Sequence, residues 1–228
     1  MIGIIVPAHN EEETIAGCVT SLLTASQAPA LAGEAVEIIV VLDACRDRTG
    51  SVARALGVRT IEVRANNVGL ARQAGAASAL ARGARWLAFT DADSVVGPQW
   101  LTSQLALGAD AVCGTVSVED WGTYGERMRR HFRLTYKDTN GHAHVHGANM
   151  GVSAQAYVAA GGFIGLQTGE DVALVEALKT CGARVEWSSA PRVITSVRKN
   201  FKAPGGFGAY LQKVEQLRQW VGVDVAAA

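Results

Sequence analysis

Short apolar runs alternate with helical patterns through the first half of the chain. Residues 2–6 read Ile-Gly-Ile-Ile-Val and stop at Pro7, which predicts a strand buried in a parallel sheet. Asn10-Glu11-Glu12-Glu13 then places acids where a helix dipole favours them, and Ile15, Cys18, Val19, Leu22 and Leu23 recur at the spacing of an amphipathic helix. Residues 36–42 predict a second buried strand, 47–56 a short helix stopped at Gly57, and 60–63 a third strand. An Ala-rich helix over 70–82 precedes Gly83, and a fourth strand over 86–90 runs into Asp91.

This alternation predicts a parallel sheet with right-handed crossovers, in which ligands bind at the carboxyl ends of the strands. Pro7-Ala8-His9-Asn10, Asp43 and Asp91-Ala92-Asp93 each lie just past a strand end, so they should gather along one edge. The second half is less regular. Residues 98–107 predict a helix with Pro near its start, 111–118 a strand, 121–137 a basic helix and 142–153 an extended stretch. Val172, Leu174, Val175 and Leu178 predict a helix over 170–181, with short strands at 185–187 and 193–196. Tyr210, Leu211, Val214, Leu217 and Val221 predict a last amphipathic helix before a frayed tail at 224–228.

Composition narrows the function classes. Apolar residues make up 49% of the 228, enough for a core. Lys plus Arg and Asp plus Glu are 21 each, so there is no basic field and nucleic acid is excluded as the expected partner. Phosphate binding would then need a local positive charge, which a metal ion supplies. Cys18, Cys45, Cys113 and Cys181 form no CxxC pair and fit free thiols in a reducing compartment. No apolar run is long enough for a transmembrane helix, and the N-terminus has no signal-peptide pattern. The expectation is a soluble cytoplasmic protein, with peripheral membrane contact left open.

Asp91 and Asp93 flank a small residue after a buried strand. Strand geometry points both side chains the same way, and hard oxygen ligands suit Mg²⁺ or Mn²⁺. The alternative is a solvated turn in which Asp93 caps the next helix.

With these residues in place, the chain resembles family 2 glycosyltransferases of the GT-A fold. The resemblance is carried by IIVPAHNEEETI (4–15), EIIVVLDACRDRT (37–49), NNVGLARQAGAASALARGARWLAFTDADSVV (66–96), HGANMGVSAQAYVAAGGF (146–163) and GEDVALVEALKTCGARVEW (169–187). It implies an α/β fold with a mostly parallel central sheet flanked by helices. Residues 1–97 would form the nucleotide-binding half and 98–200 the acceptor half, with 201–228 a loop and helix packed on the same domain. By resemblance, Pro7, His9, Asn10 and Glu11 match the first nucleotide-contacting loop, and Asp43 matches an acid that recognises the nucleobase. Arg72 matches a basic residue of the diphosphate region. Asp91, Ala92 and Asp93 match the metal and diphosphate motif, Asp93 being the more direct ligand. Glu170-Asp171 matches the acidic pair before a late helix, with Asp171 as catalytic base. Where the family often has two adjacent acids after the second strand, this chain has Leu42 before Asp43, so Asp43 acts alone. Arg198 is the candidate phosphate contact near the end. The implied reaction moves a sugar from a UDP- or GDP-sugar to an acceptor hydroxyl, with Mn²⁺ or Mg²⁺, by inversion.

Bland readings stand beside several of these. Glu11, Asp43 and Asp47 suit helix starts and turns, Arg72 suits a solvated helix face, and Glu170-Asp171 suits a first helical turn. His142, His144 and His146 would share one face of a strand. They read either as a zinc site with His131 or as polar-face residues, with His146 lining the acceptor cavity. Arg127, Arg129, Arg130 and Arg133 read as a solvated basic face or as an anion contact. Gly161-Gly162 reads as a close approach to sugar or a helix stop, and Gly205-Gly206 before Phe207 as a mobile loop or a connector. Three rivals remain: a haloacid-dehalogenase-like phosphatase with Asp91 as nucleophile, a nucleotidyltransferase, and a non-catalytic nucleotide-sugar binder. The Gly-rich loop of the second is missing after the first strand, and the absence of GxGxxG there disfavours a dinucleotide oxidoreductase.

Overall fold

A computed structural model describes residues 1–197 and 207–217. Arg198, Gly205, Gly206 and Val221 lie outside the described residues. One eight-stranded sheet runs through the molecule in the order β3-β2-β1-β4-β7-β6-β8-β5. The strands are β1 (Ile2–Ala8), β2 (Val36–Asp43), β3 (Arg59–Val63), β4 (Trp86–Phe89), β5 (Ser94–Val96), β6 (Ala111–Ser117), β7 (Met150–Ser153) and β8 (Val185–Thr195). The first four are mutually parallel, β7 runs antiparallel between β4 and β6, and β5 runs antiparallel on the β8 edge.

Helices cover both faces. They are α1 (Ile15–Ser26), α2 (Thr49–Ala55), α3 (Val68–Ala81), α4 (Trp100–Ala106), α5 (Gly125–Thr135), α6 (Ala154–Ala159), α7 (Glu170–Thr180) and α8 (Phe207–Leu217). One buried cluster joins α1, α2 and α4 to a sheet face through Val19, Leu22, Trp100 and Leu101. The opposite face packs α3, α6 and α7 through Ala76, Tyr157, Leu174 and Leu178. Alternation along β1 explains the division, since Ile4 and Val6 enter the first cluster and Ile5 the second. A third cluster closes α5 against α8 through Met128, Phe132, Leu211 and Val214.

Several expectations shift. Glu11, Glu12 and Glu13 precede α1, whose first turn holds no acid. The two short strands expected near 185–196 are one strand. Its pairing with β6 jumps from Gly114↔Ser188 to Thr115↔Arg192, and this irregularity breaks the apolar pattern. Buried Asn149 clamps the irregularity: its amide nitrogen donates to the Thr115 and Pro191 carbonyls (2.7 and 2.6 Å), and its oxygen accepts from Trp100 Nε1 (2.8 Å). Of the stretch expected to be extended over 142–153, only Met150–Ser153 is strand. Gly161 and Gly162, both at positive φ, end α6 by bonding back to Val158 and Tyr157. This is the helix-stop reading. No described helix is long and apolar enough to cross a membrane, and the four cysteines are free.

Candidate active site

The ends of β1, β2 and β4 open onto one cavity of about 940 Å³, within the range of small-molecule sites. Its wall includes Pro7, His9, Glu11, Asp43, Arg72, Asp91, Ala92, Asp93, Glu170 and Asp171. Asn10 stands beside it in a left-handed turn, where its side-chain oxygen accepts from Arg46 N–H (2.7 Å).

At the β1 and β2 ends, backbone geometry sets the side chains. His9 Nδ1 donates to the Asp43 carbonyl oxygen (2.6 Å), so Nε2 is the ring acceptor, where the Asn10 amide reaches it at 3.3 Å. The Asp43 carboxylate accepts three backbone N–H bonds: Ala65 and Asn66 on Oδ1, and Asn67 on Oδ2, at 2.8–2.9 Å. It thereby shapes the turn into α3. A carboxylate has about four acceptor positions, so one on Oδ2 is left for a ligand. Glu11 N–H donates to Thr49 Oγ1 (2.7 Å), and Glu11 Oε2 accepts from Thr14 (2.9 Å), tying the start of α1 to α2.

Arg72 projects from α3 into the protein, not to solvent. It is 3% exposed. One guanidinium nitrogen donates to Asp91 Oδ1 (2.7 Å) and another to Glu170 Oε1, while the group stacks over Phe163. Burial alone would lower the Arg72 pKa, but Asp91, Glu170 and Asp171 together raise it. Burial pushes the Asp91 carboxyl up; Arg72 opposes this and Asp93 adds to it. Gly147 makes room for the guanidinium, since a Cβ there would stand 2.5 Å from an Arg72 nitrogen.

Asp93 does not cap a helix. The chain continues into β5, α4 begins only at Trp100 with Gln99 at its cap, and Asp93 Oδ2 accepts from Ser196 Oγ (2.8 Å). Asp171 sits in the first turn of α7. Its Oδ2 accepts Gly147 N–H (2.9 Å) and its Oδ1 accepts Val172 N–H (2.8 Å). These amides orient the carboxylate across the cavity wall.

The donor set discriminates between kinds of metal. Among the described residues no group of three or more His, Cys, Asp or Glu is arranged to hold a metal. That excludes the zinc reading of His142, His144, His146 and His131 within those residues. Mg²⁺ and Mn²⁺ are hard ions that need only one or two protein carboxylates and complete their shells with phosphate and water. Asp91 and Asp93 are the candidates for that requirement: both line the cavity, and a cation beside them would offset the charge that Asp93 sets against Asp91.

The chain matches the family model described as Glycosyl transferase family 2 over residues 3–158. It belongs to glycosyl transferase family 2. A search of curated proteins finds no match. Among solved structures, S. aureus TarS 1-349 in complex with UDP-GlcNAc aligns with a TM-score of 0.67 and 15% identity, over 98% of this chain and 67% of that one. The mannosyltransferase PcManGT from Pyrobaculum calidifontis, in complex with GDP-Man and Mn²⁺, aligns at 0.64 and 18% identity, over 96% and 62%. Glucosyl-3-phosphoglycerate synthase from Mycobacterium tuberculosis, in complex with phosphoglyceric acid, aligns at 0.57 and 18%, over 87% and 72%. The fold is the GT-A fold of these enzymes.

For this glycosyltransferase the phosphatase rival falls away, because the family model takes in residues 91–93 and the Asp91 side chain is ion-paired to Arg72. The basic residues Arg127, Arg129, Arg130 and Arg133 are exposed on α5 and do not line the cavity. Residues not singled out from sequence also reach the wall: Asn66, Asn67, Tyr136, Ser196 and Phe207. The asparagines lay within a family-like segment and were legible there. Tyr136 closes a basic helix and carried no signal of its own.

Proposed function

We propose that this glycosyltransferase binds a UDP- or GDP-sugar with Mn²⁺ or Mg²⁺ and passes the sugar to an acceptor hydroxyl in one inverting displacement. The reading rests on one observation: the cavity holds carboxylates at two places with different partners. Asp91 and Asp93 stand beyond β4, and Asp171 opens α7.

Each place answers a separate chemical need. Asp93 and Asp91 would hold the ion, which when bound supplies positive charge beside the diphosphate in a chain of zero net charge. Pro7, His9, Asn10, Glu11 and the remaining acceptor position on Asp43 form the nucleoside side. The acceptor oxygen bonds to the anomeric carbon as the bond to the diphosphate breaks, with its electron pair leaving on the nucleotide. Asp171 takes the acceptor proton, because a hydroxyl is a poor nucleophile at neutral pH.

The test is a thermal-shift series of nucleoside diphosphates with and without Mn²⁺. One nucleotide should stabilise the protein only with metal, and Asp93→Ala should abolish that dependence. Asp171→Asn should keep the stabilisation and lose about 10²–10⁴-fold in nucleoside-diphosphate release from the donor with water as surrogate acceptor. An Asp171→Asn rate equal to wild type would remove Asp171 from the mechanism.

A further inference from the structure

Four rings from two segments form a ladder, of which Tyr136, His144 and His146 line the cavity. Tyr136 stacks on His144 (4.1 Å between centroids, 5° between planes), and His144 stacks on His142 (5.3 Å) and His146 (5.8 Å). Phe132 covers the far side of Tyr136 (4.5 Å, 19°). Most of the polar atoms in this ladder are committed. His142 Nδ1 accepts His144 N–H (3.1 Å), which leaves Nε2–H to donate to the Ser188 carbonyl (3.4 Å). His144 Nε2 is the exception, buried with no hydrogen-bond partner.

His146 differs. The Tyr136 hydroxyl accepts Val116 N–H (2.9 Å) and lies 3.0 Å from His146 Nε2, the neighbour to which its own proton can turn. With Tyr136 donating, Nε2 is the acceptor and the ring proton sits on Nδ1. Burial, reinforced by His144, opposed by Asp171 and reinforced again by His142, pulls His146 down to about 4, so the ring is neutral at pH 7. Nδ1 has no bond to the described residues and is not among the enclosed atoms. His146 lines the cavity, and the next residue, Gly147, holds Asp171.

We propose that His146 donates from Nδ1 to an oxygen of the acceptor beside its attacking hydroxyl, with Tyr136 as the positioning residue, so that the site selects a saccharide or other polyol over a lone alcohol. This rests on the reading of Asp171 as the base. The two residues divide the acceptor between them: Asp171 receives a proton from one oxygen, and His146 offers a proton to its neighbour. A fixed tautomer makes the pair selective, because Nδ1 cannot turn into an acceptor unless the Tyr136 bond is broken or reversed.

Long-range ¹H–¹⁵N correlation spectra of ¹⁵N-histidine-labelled protein at pH 7 test it. Wild type should show His146 as one neutral tautomer protonated on Nδ1. Tyr136→Phe keeps the ring stack, loses the hydroxyl, and should give a mixture of tautomers at His146 while His142 is unchanged. Methyl glycosides titrated into wild type should shift the His146 Nδ1 signal saturably, and 1-propanol at equal concentration should not. A wild-type His146 protonated on Nε2, an equal response to propanol, or no response to any of a panel of methyl glycosides overturns the proposal. The thermal-shift series separates the two readings: metal-dependent stabilisation by a nucleotide together with an unresponsive His146 defeats this proposal alone, while its loss in wild type defeats the donor reading.

Discussion

At Arg72 a single guanidinium joins three elements: α3, the turn after β4 and the start of α7. The resemblance placed this residue in the diphosphate region, and it does line the cavity, but two of its nitrogens are spent on Asp91 and Glu170. Removing one member of a buried ion network strands the others. Arg72→Gln should therefore cost on the order of 3–5 kcal/mol, read as a lowered urea midpoint at unchanged m-value. His146 gives a pH signature. Its folded pKa, about 4, lies below the ordinary 6.5. Between those values the unfolded chain takes up a proton that the folded ring refuses, so stability falls as pH drops from about 6.5 towards 4. The slope from this one group approaches about 1.4 kcal/mol per pH unit. His146→Gln, which cannot titrate, should show a shallower loss over that window in denaturant midpoints. Neither role was legible in sequence, because Glu170 is 98 positions from Arg72 and the Tyr136–His146 bond depends on where α5 ends.

Elements were legible where a periodic pattern had room to develop. The four parallel strands, α1, α3 and α7 follow from apolar runs and helical spacing. β5 and α6, at three and six residues, are too short to show a period; β5 was not expected, and α6 was signalled only by the helix-stop reading of Gly161-Gly162. Close packing sets a further constraint that periodicity does not reveal. On α3, a Cβ at Gly75 would stand 2.5 Å from Ile5 and 2.8 Å from Val41, so this glycine lets the helix settle onto β1 and β2. On α1, Gly17 is exposed, with nothing within 4 Å of its would-be Cβ. Gly75→Ala should destabilise by about 1–3 kcal/mol through overpacking. Gly17→Ala should stabilise by about 0.5–1 kcal/mol, because alanine is the better helix former. Opposite movements of the two denaturation midpoints are the expected outcome. The same sign for both would mean that helix propensity, not contact with the sheet, governs α3.

For the molecule as a whole, ligand binding and folding are linked, since the cavity exists only when β1, β2, β4 and α7 are assembled. A nucleotide at a hundred times its dissociation constant adds about 2.7 kcal/mol. In a chain of this size that is a rise of roughly 5–10 °C in Tm, large enough for the metal dependence of the shift to be read directly. The α8 wall enters through the same linkage, since Phe207 contacts both Phe132 and His146 (5.7 and 6.2 Å between centroids). In the sequence Phe207 stood out only as the residue after Gly205-Gly206, read as a mobile loop or a connector.

The amino-acid order alone determined the class of fold, the strand ends where chemistry collects, and the family, because each of these is written in short segments: an apolar run, a helical repeat, an acid pair after a strand. Tertiary structure decided which carboxylates are spent and which stay available. It committed Arg72 to Asp91 and Glu170, turned the Asp43 carboxylate onto three backbone amides, and joined two short strands into β8 through Asn149. All of these are contacts between residues distant in the chain. Their energies depend on burial and hydrogen-bond geometry, which come into being only once the sheet has closed.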